Sequence, residues 1–136
     1  MYSINQKNFG YYLVFGGFIQ RDEMKKWVDE SEIALENAPD EFGVFVDMRT
    51  LKPLPQDSQA HMQEGQKLFK RSGMIRSVVI VNDSVTNMQF KRIAKETGIY
   101  EWERYIDAST VSNWEETGLN WIKKGIDPDW TIRIID

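Results

Sequence analysis

The run Arg76-Ser77-Val78-Val79-Ile80-Val81-Asn82-Asp83-Ser84 decides the fold. After Ser77 it is apolar at every position as far as Val81, without the alternation of a strand that has one wet face. Such a run suits a central parallel strand covered on both sides. Asp83 or Ser84 then supplies an N-cap, and a helix is predicted to Thr97 with Gly98 closing it. Phe90, Ile93, Ala94 and Thr97 form its expected inner stripe. A strand feeding a helix is half of a β-α-β unit, so the strands on either side should run parallel.

Upstream the same unit repeats. Gly43-Val44-Phe45-Val46-Asp47-Met48 reads as a strand, and Lys52-Pro53-Leu54-Pro55 as a stiff extended loop, because each proline fixes φ. A helix follows from Gln56–Ser58 to Arg71, with Ser58, Met62, Gly65, Leu68, Phe69 and Ser72 inward and Gly73 as its cap. Gly65 in mid-helix costs about 1 kcal/mol relative to Ala, and close packing is the simplest reason for it. Earlier still, a helix from Arg21 to Asn37 buries Met24, Trp27, Val28, Ser31 and Leu35. Two strands, 2–8 and 11–18, precede it, joined by a tight turn at Asn8-Phe9-Gly10.

Downstream, Trp102 to Ile106 is the next strand. Ser112 and Glu115 have the spacing of a capping box for a last helix, with Trp114, Gly118, Trp121 and Ile122 inward and Gly125 at its end. Trp130 to Ile135 alternates like an edge strand, or like a tail that pairs with a second subunit, so a homodimer through this segment is expected. Tyr100 and Trp130 fit no stripe and read as exposed aromatic contacts. The order is ββαβαβαβα: a single α/β domain over residues 1–136, with a mostly parallel sheet whose first strand is antiparallel.

With 41% apolar residues and seventeen aromatic side chains, a chain of 136 residues can bury one core without staples. There is no cysteine, which removes disulfide and thiolate chemistry and suits a reducing compartment. The first residues lack the basic-then-apolar pattern of a secretion signal, and no apolar run approaches membrane-spanning length. A cytoplasmic location is therefore expected. The net charge of −4 argues against general nucleic-acid affinity. Its distribution is uneven: residues 49–95 carry nine basic against three acidic side chains, and both flanks are acidic. Either these bases coat solvent-facing helix sides, or they meet an anionic partner.

Reactive chemistry is thin. The one histidine, His61, stands near Asp57 and Ser58 on a helix face, but no oxyanion site or cleft is legible beside them. One histidine and no cysteine leave only carboxylates for a metal, and Asp22-Glu23 and Glu115-Glu116 fit the positive ends of helices better. Gly16-Gly17 lacks every signature of a phosphate loop. No catalytic residue, metal or cofactor is expected.

Several segments resemble the SpoIIAA-like (STAS) group of small bacterial proteins. They are Val46-Asp47-Met48-Arg49, Pro53-Leu54-Pro55, Gly73-Met74-Ile75-Arg76-Ser77, the stretch from Gln89 to Tyr100, and Glu103-Arg104-Tyr105-Ile106-Asp107. The resemblance spans about residues 11–129. In anti-sigma-factor antagonists of this fold, an Asp-Leu-Ser strand end precedes a phosphorylatable serine at the start of the second helix. Asp47 matches that aspartate, Arg49 stands in place of the serine, and Asp57-Ser58 resembles the Asp-Ser pair after a longer loop. The resemblance thus implies Ser58 as a candidate phosphoacceptor, where a phosphate would meet free helix N–H groups. The structural alternative is that Asp57 or Ser58 caps the helix. Arg49 is expected to pair with Asp47 or Asp107 at the sheet edge where open α/β sheets place ligands. Asp47, Arg49, Lys91 and Arg92 form the candidate anion- or partner-binding patch. The function expected is a non-enzymatic regulatory or protein-interaction domain. The alternatives are a carrier or sensor for a small lipophilic or anionic ligand, and a minor enzyme using Ser58 and His61.

Overall fold

The computed structural model describes residues 1–129. Five strands form one sheet in the order β1-β2-β3-β4-β5. They are β1 (Tyr2–Lys7), β2 (Gly10–Gly17), β3 (Phe42–Leu51), β4 (Met74–Val81) and β5 (Glu103–Asp107). β1 runs antiparallel to β2, and every other neighbouring pair is parallel. The helices are α1 (Arg21–Ala34), α2 (Gln56–Arg71), α3 (Ser84–Thr97) and α4 (Trp114–Lys124).

The sheet order explains the layers. From β2 to β5 each crossover steps the same way, so one hand of crossover puts α1, α2 and α3 on a single face. Tyr11, Phe15, Trp27, Val44, Phe69, Val79, Ala94 and Tyr105 share the core between them and the sheet. α4 follows the last strand, needs no crossover, and falls over the opposite face. There it covers Phe45, Val78, Ile80 and Ile106 with Trp121 and Ile122. β4 is thus covered on both sides, which is why its sequence is uninterruptedly apolar from Val78 to Val81. On the α4 face, nothing among the described residues covers β1 and the outer part of β2.

Most of the expected inner faces are inside. Met24, Trp27, Val28, Ser31 and Leu35 are buried, as are Ser58, Met62, Gly65, Leu68 and Phe69. Helix α1 stops at Ala34, and Leu35–Asn37 tighten into a 3₁₀ turn. Expectations for α3 and α4 are corrected. Ile93 is 49% exposed and Thr97 is exposed as well, because α3 lies over the edge strand β5 and only Ala94 and half-buried Phe90 reach the core. Ser112 does not cap α4: Thr110 N and Val111 N bond the Asp107 carbonyl, the chain turns there, and the helix opens at Trp114 after Asn113. Gly73 closes α2 as expected: it follows the C-cap Ser72 with a positive φ of 123°. Asp83 caps α3, its carboxylate accepting from Thr86 N at 2.9 Å. The segment expected to form an edge strand or dimer contact, 130–135, lies outside the described residues.

Candidate functional site

Beyond Phe45 the α4 face of β3 emerges from under α4, and alternation brings Asp47 and Arg49 onto that side. Asp47 is buried. Its Oδ1 accepts from Arg49 N and Nε, each at 3.0 Å, and its Oδ2 from Arg49 Nη2 at 3.0 Å. The guanidinium stacks over Trp114 of α4, 4.1 Å from the ring centre. Asp47 hydrogen bonding holds this guanidinium even more firmly charged, against the opposing effect of burial. Asp47 is therefore the expected partner of Arg49. Asp107 is engaged elsewhere: it accepts from Ser84 Oγ at 2.5 Å and from Ser109 N and Oγ at 2.9 and 2.5 Å, bonds that hold its carboxyl below the usual range.

Beside this pair, Tyr12 stacks on Phe45 with centroids 4.6 Å apart and donates its hydroxyl to Glu115 Oε2 at 3.0 Å. Burial, then the bond and charge of Glu115, push that phenol up. Tyr12, Phe9 and Leu119, with Asn5, Lys7 and Glu115, line an open trough of about 390 Å³ between β1 and α4. Its position follows from the fold: it is the part of the sheet that one helix leaves uncovered.

Lys91 and Arg92 do not join Asp47 and Arg49. They sit on α3, on the other face of the sheet. Lys91 Nζ bonds Asp129 Oδ1 at 2.9 Å, and Arg92 is exposed. The proposed patch is thus two separate places. Asp129 also accepts from the Tyr100 hydroxyl. Tyr100 is therefore no free aromatic contact; its ring packs 3.8 Å from the guanidinium of Arg104. Trp130 lies outside the described residues.

Arg104 itself was not legible as a special residue. It is buried, lies between the rings of Tyr100 and Trp121, and holds Asp127 with two bonds at 3.0 and 3.2 Å. A charged residue inside a five-residue strand, with acids at 127 and 129, was the available signal. Nothing local in the sequence marks Glu103 either. In-register Ser77 donates to its carboxylate at 2.7 Å, and Tyr105 at 2.5 Å. Burial pushes this carboxyl up, against the lowering effect of the two bonds.

Ser58 is the third residue of α2 and points inward: it is 0% exposed and its Oγ has no hydrogen-bond partner among the described residues. Neither Asp57 nor Ser58 is the N-cap: that position is Pro55, which offers no side-chain cap, and Asp57, already inside the helix, accepts from Ser58 N at 2.9 Å and so satisfies one free N–H of the first turn. A phosphoryl donor reaches this hydroxyl only if that start opens. Ser58 Oγ does not bond His61, so the two form no nucleophile–base pair. Among the described residues no group of three carboxylates and histidines is placed to hold a metal ion, and no helix is long and apolar enough to cross a membrane.

No family model and no curated protein matches the chain. Among solved structures it is similar to an uncharacterised protein of the DUF3478 family with a SpoIIAA-like fold from Shewanella loihica PV-4. The TM-score is 0.65 at 13% sequence identity, over 90% of this chain and 92% of that one. At that identity the likeness speaks for architecture alone, and the element order and mixed five-stranded sheet agree with it. The chain has a SpoIIAA-like α/β fold.

Proposed function

We propose that the chain is a cytoplasmic, non-enzymatic regulatory or protein-interaction domain that docks a partner on the rim formed by the C-terminal ends of β2, β3 and β4. One observation carries this reading. Phe18, just past β2, is 76% exposed, and Val85 and Met88, in the first turns of α3, are 62% and 69% exposed. Scattered single apolar residues are ordinary on a surface; these three follow the C-terminal ends of β2 and β4, so they stand at the same end of the sheet, which supports an interface there. Because β3 lies between β2 and β4, its exit loop with Lys52 and Pro53 lies between these side chains. Arg92 follows Val85 and Met88 at i+7 and i+4, on the same outward side of α3. The partner that fits is a protein surface offering apolar side chains with carboxylates around them.

A photo-crosslinking amino acid in place of Met88, and another in place of Gln63 on α2 as control, test this in the native host. The expected result is one adduct from position 88, weakened by salt and abolished by Arg92→Glu. Equal adducts from both positions, or indifference to Arg92→Glu, count against the rim.

The second reading, a carrier of a small lipophilic anion, draws support from the trough: its volume lies in the range of ligand pockets, roughly 300–1,000 Å³, with Phe9, Tyr12 and Leu119 beside Lys7. Anilinonaphthalene sulfonate should then brighten on binding and lose that response in Lys7→Glu. No brightening removes the reading.

A further inference from the structure

The two edges of the sheet are treated differently. At one edge, β5 has only five residues, begins with Glu103 and Arg104, and is flanked by the segment that Arg104 grips through Asp127. Short length, charge and a covering segment are the usual protections of an edge strand. At the other edge, no segment among the described residues covers β1. Its six residues pair with β2 in unbroken register from Tyr2↔Phe15 to Lys7↔Gly10, without a bulge or a proline, and its one charged side chain is Lys7 at the end. Every other backbone N–H and C=O along β1 faces outward, a ready template for another strand.

The charge above this edge selects the occupant. α1 carries five acids against three bases. Two of the acids reach this edge: Glu30 Oε2 accepts from the Tyr2 hydroxyl of β1 at 2.6 Å, and Glu23 Oε2 lies 3.3 Å from the Met1 ammonium just before the strand. Asp22 and Asp29 stand exposed beside them, in solvent-exposed ion pairs with Arg21 at 3.1 Å and Lys25 at 3.7 Å, so α1 keeps a net excess of two acids. Two copies of this chain joined edge to edge about a two-fold axis keep their helices on the same side. Such a register sets Ile4 against Ile4, and Tyr2 of one copy opposite Gln6 of the other. It also lays one acidic α1 alongside the other, and that repulsion opposes self-pairing.

The geometry points to β1 as an acceptor for an extended, basic protein segment that adds as a sixth strand, its cationic side chains lying under the acids of α1 and its alternate side chains beside Ser3 and Asn5. Backbone pairing supplies the affinity, and α1 supplies the choice of sign. This surface is separate from the rim proposed above.

The test titrates the full chain with the hexapeptide (Lys-Thr)₃, the same peptide N-methylated at alternate residues, and (Glu-Thr)₃, read by amide chemical shifts. The expected result is saturable binding of (Lys-Thr)₃ with shifts centred on Tyr2 to Lys7, at least tenfold weaker after N-methylation and at least tenfold weaker for (Glu-Thr)₃. The double variant Glu23→Gln with Glu30→Gln should weaken (Lys-Thr)₃ severalfold while leaving the remaining amide spectrum in place. Undiminished binding by the N-methylated peptide, equal binding of the acidic peptide, shifts elsewhere on the sheet, or a sedimentation mass showing β1-dependent dimers each overturn the proposal.

Discussion

Trp27 of α1 and Gly65 of α2 interlock: a Cβ added to Gly65 would lie 2.1 Å from Cζ3 and 2.4 Å from Cη2 of the Trp27 ring. The indole is 2% exposed and is also packed by Phe15 and Phe69, so it has nowhere to retreat. Gly65→Ala gains about 1 kcal/mol of helix propensity but overpacks the core at a cost of about 1–3 kcal/mol or more. The expected net result is destabilisation, read as a lower urea midpoint with an unchanged slope. A midpoint that rises would show the helices free to separate.

Arg104 ties β5, the Tyr100 turn and the 127–129 segment together. Arg104→Met keeps much of the packing between Tyr100 and Trp121 but removes both guanidinium bonds to Asp127, which still accepts from Asp129 N, and the bond to the Tyr100 carbonyl. Because Asp127 keeps 30% side-chain exposure, the loss is discounted to about 2 kcal/mol from the larger cost of breaking a fully buried pair. Equilibrium unfolding measures it. Hydrogen exchange should show faster opening of residues 127–129 than of β3, and uniform change across the sheet would contradict the local role.

The sheet was readable in the chain because its signals are local: an unbroken apolar run at Val78–Val81, an Asp83 cap, and a glycine where an indole presses. The ends of elements were less so. Ser112 and Glu115 have capping-box spacing, but Asp107 binds the turn first and moves the helix start to Trp114. The candidate patch split because sequence spacing does not say on which face of a sheet a helix lies, and Lys91 fell opposite Arg49. Glu103 became special only through Ser77 across the strand pair, a contact twenty-six residues away along the chain.

Glu103 gives a pH test. Its carboxyl is pushed up in the folded chain, chiefly by burial, whereas the unfolded chain titrates it in the ordinary glutamate range. The folded state therefore holds the proton to higher pH than the unfolded state does. Its contribution is fully present below the unfolded pKa and is lost as pH rises through the folded one. Each unit of separation is worth about 1.4 kcal/mol. Glu103→Gln, which cannot ionise, should lack this decline. Urea midpoints for both proteins, from below the ordinary glutamate range to neutral pH, should diverge as pH rises, with the variant the more stable relative to its own acid value. Parallel curves would refute the shift.

Ser58 separates a phosphoacceptor from a packing residue. Its Oγ is fully buried and has no partner among the described residues, so the hydroxyl contributes desolvation cost without a bond in return. Ser58→Ala should be neutral or stabilising by about 1 kcal/mol. Ser58→Asp places a charge in the same apolar space and should destabilise by about 3 kcal/mol or more, although it stands in the first turn where an exposed acid would be welcome. The opposing signs matter: if the helix start opened readily, aspartate would be tolerated and a kinase could reach the serine. Thermal unfolding of the two variants, with limited proteolysis near Pro55, decides between them. A stable, protease-resistant Ser58→Asp protein would restore Ser58 as a site for phosphate.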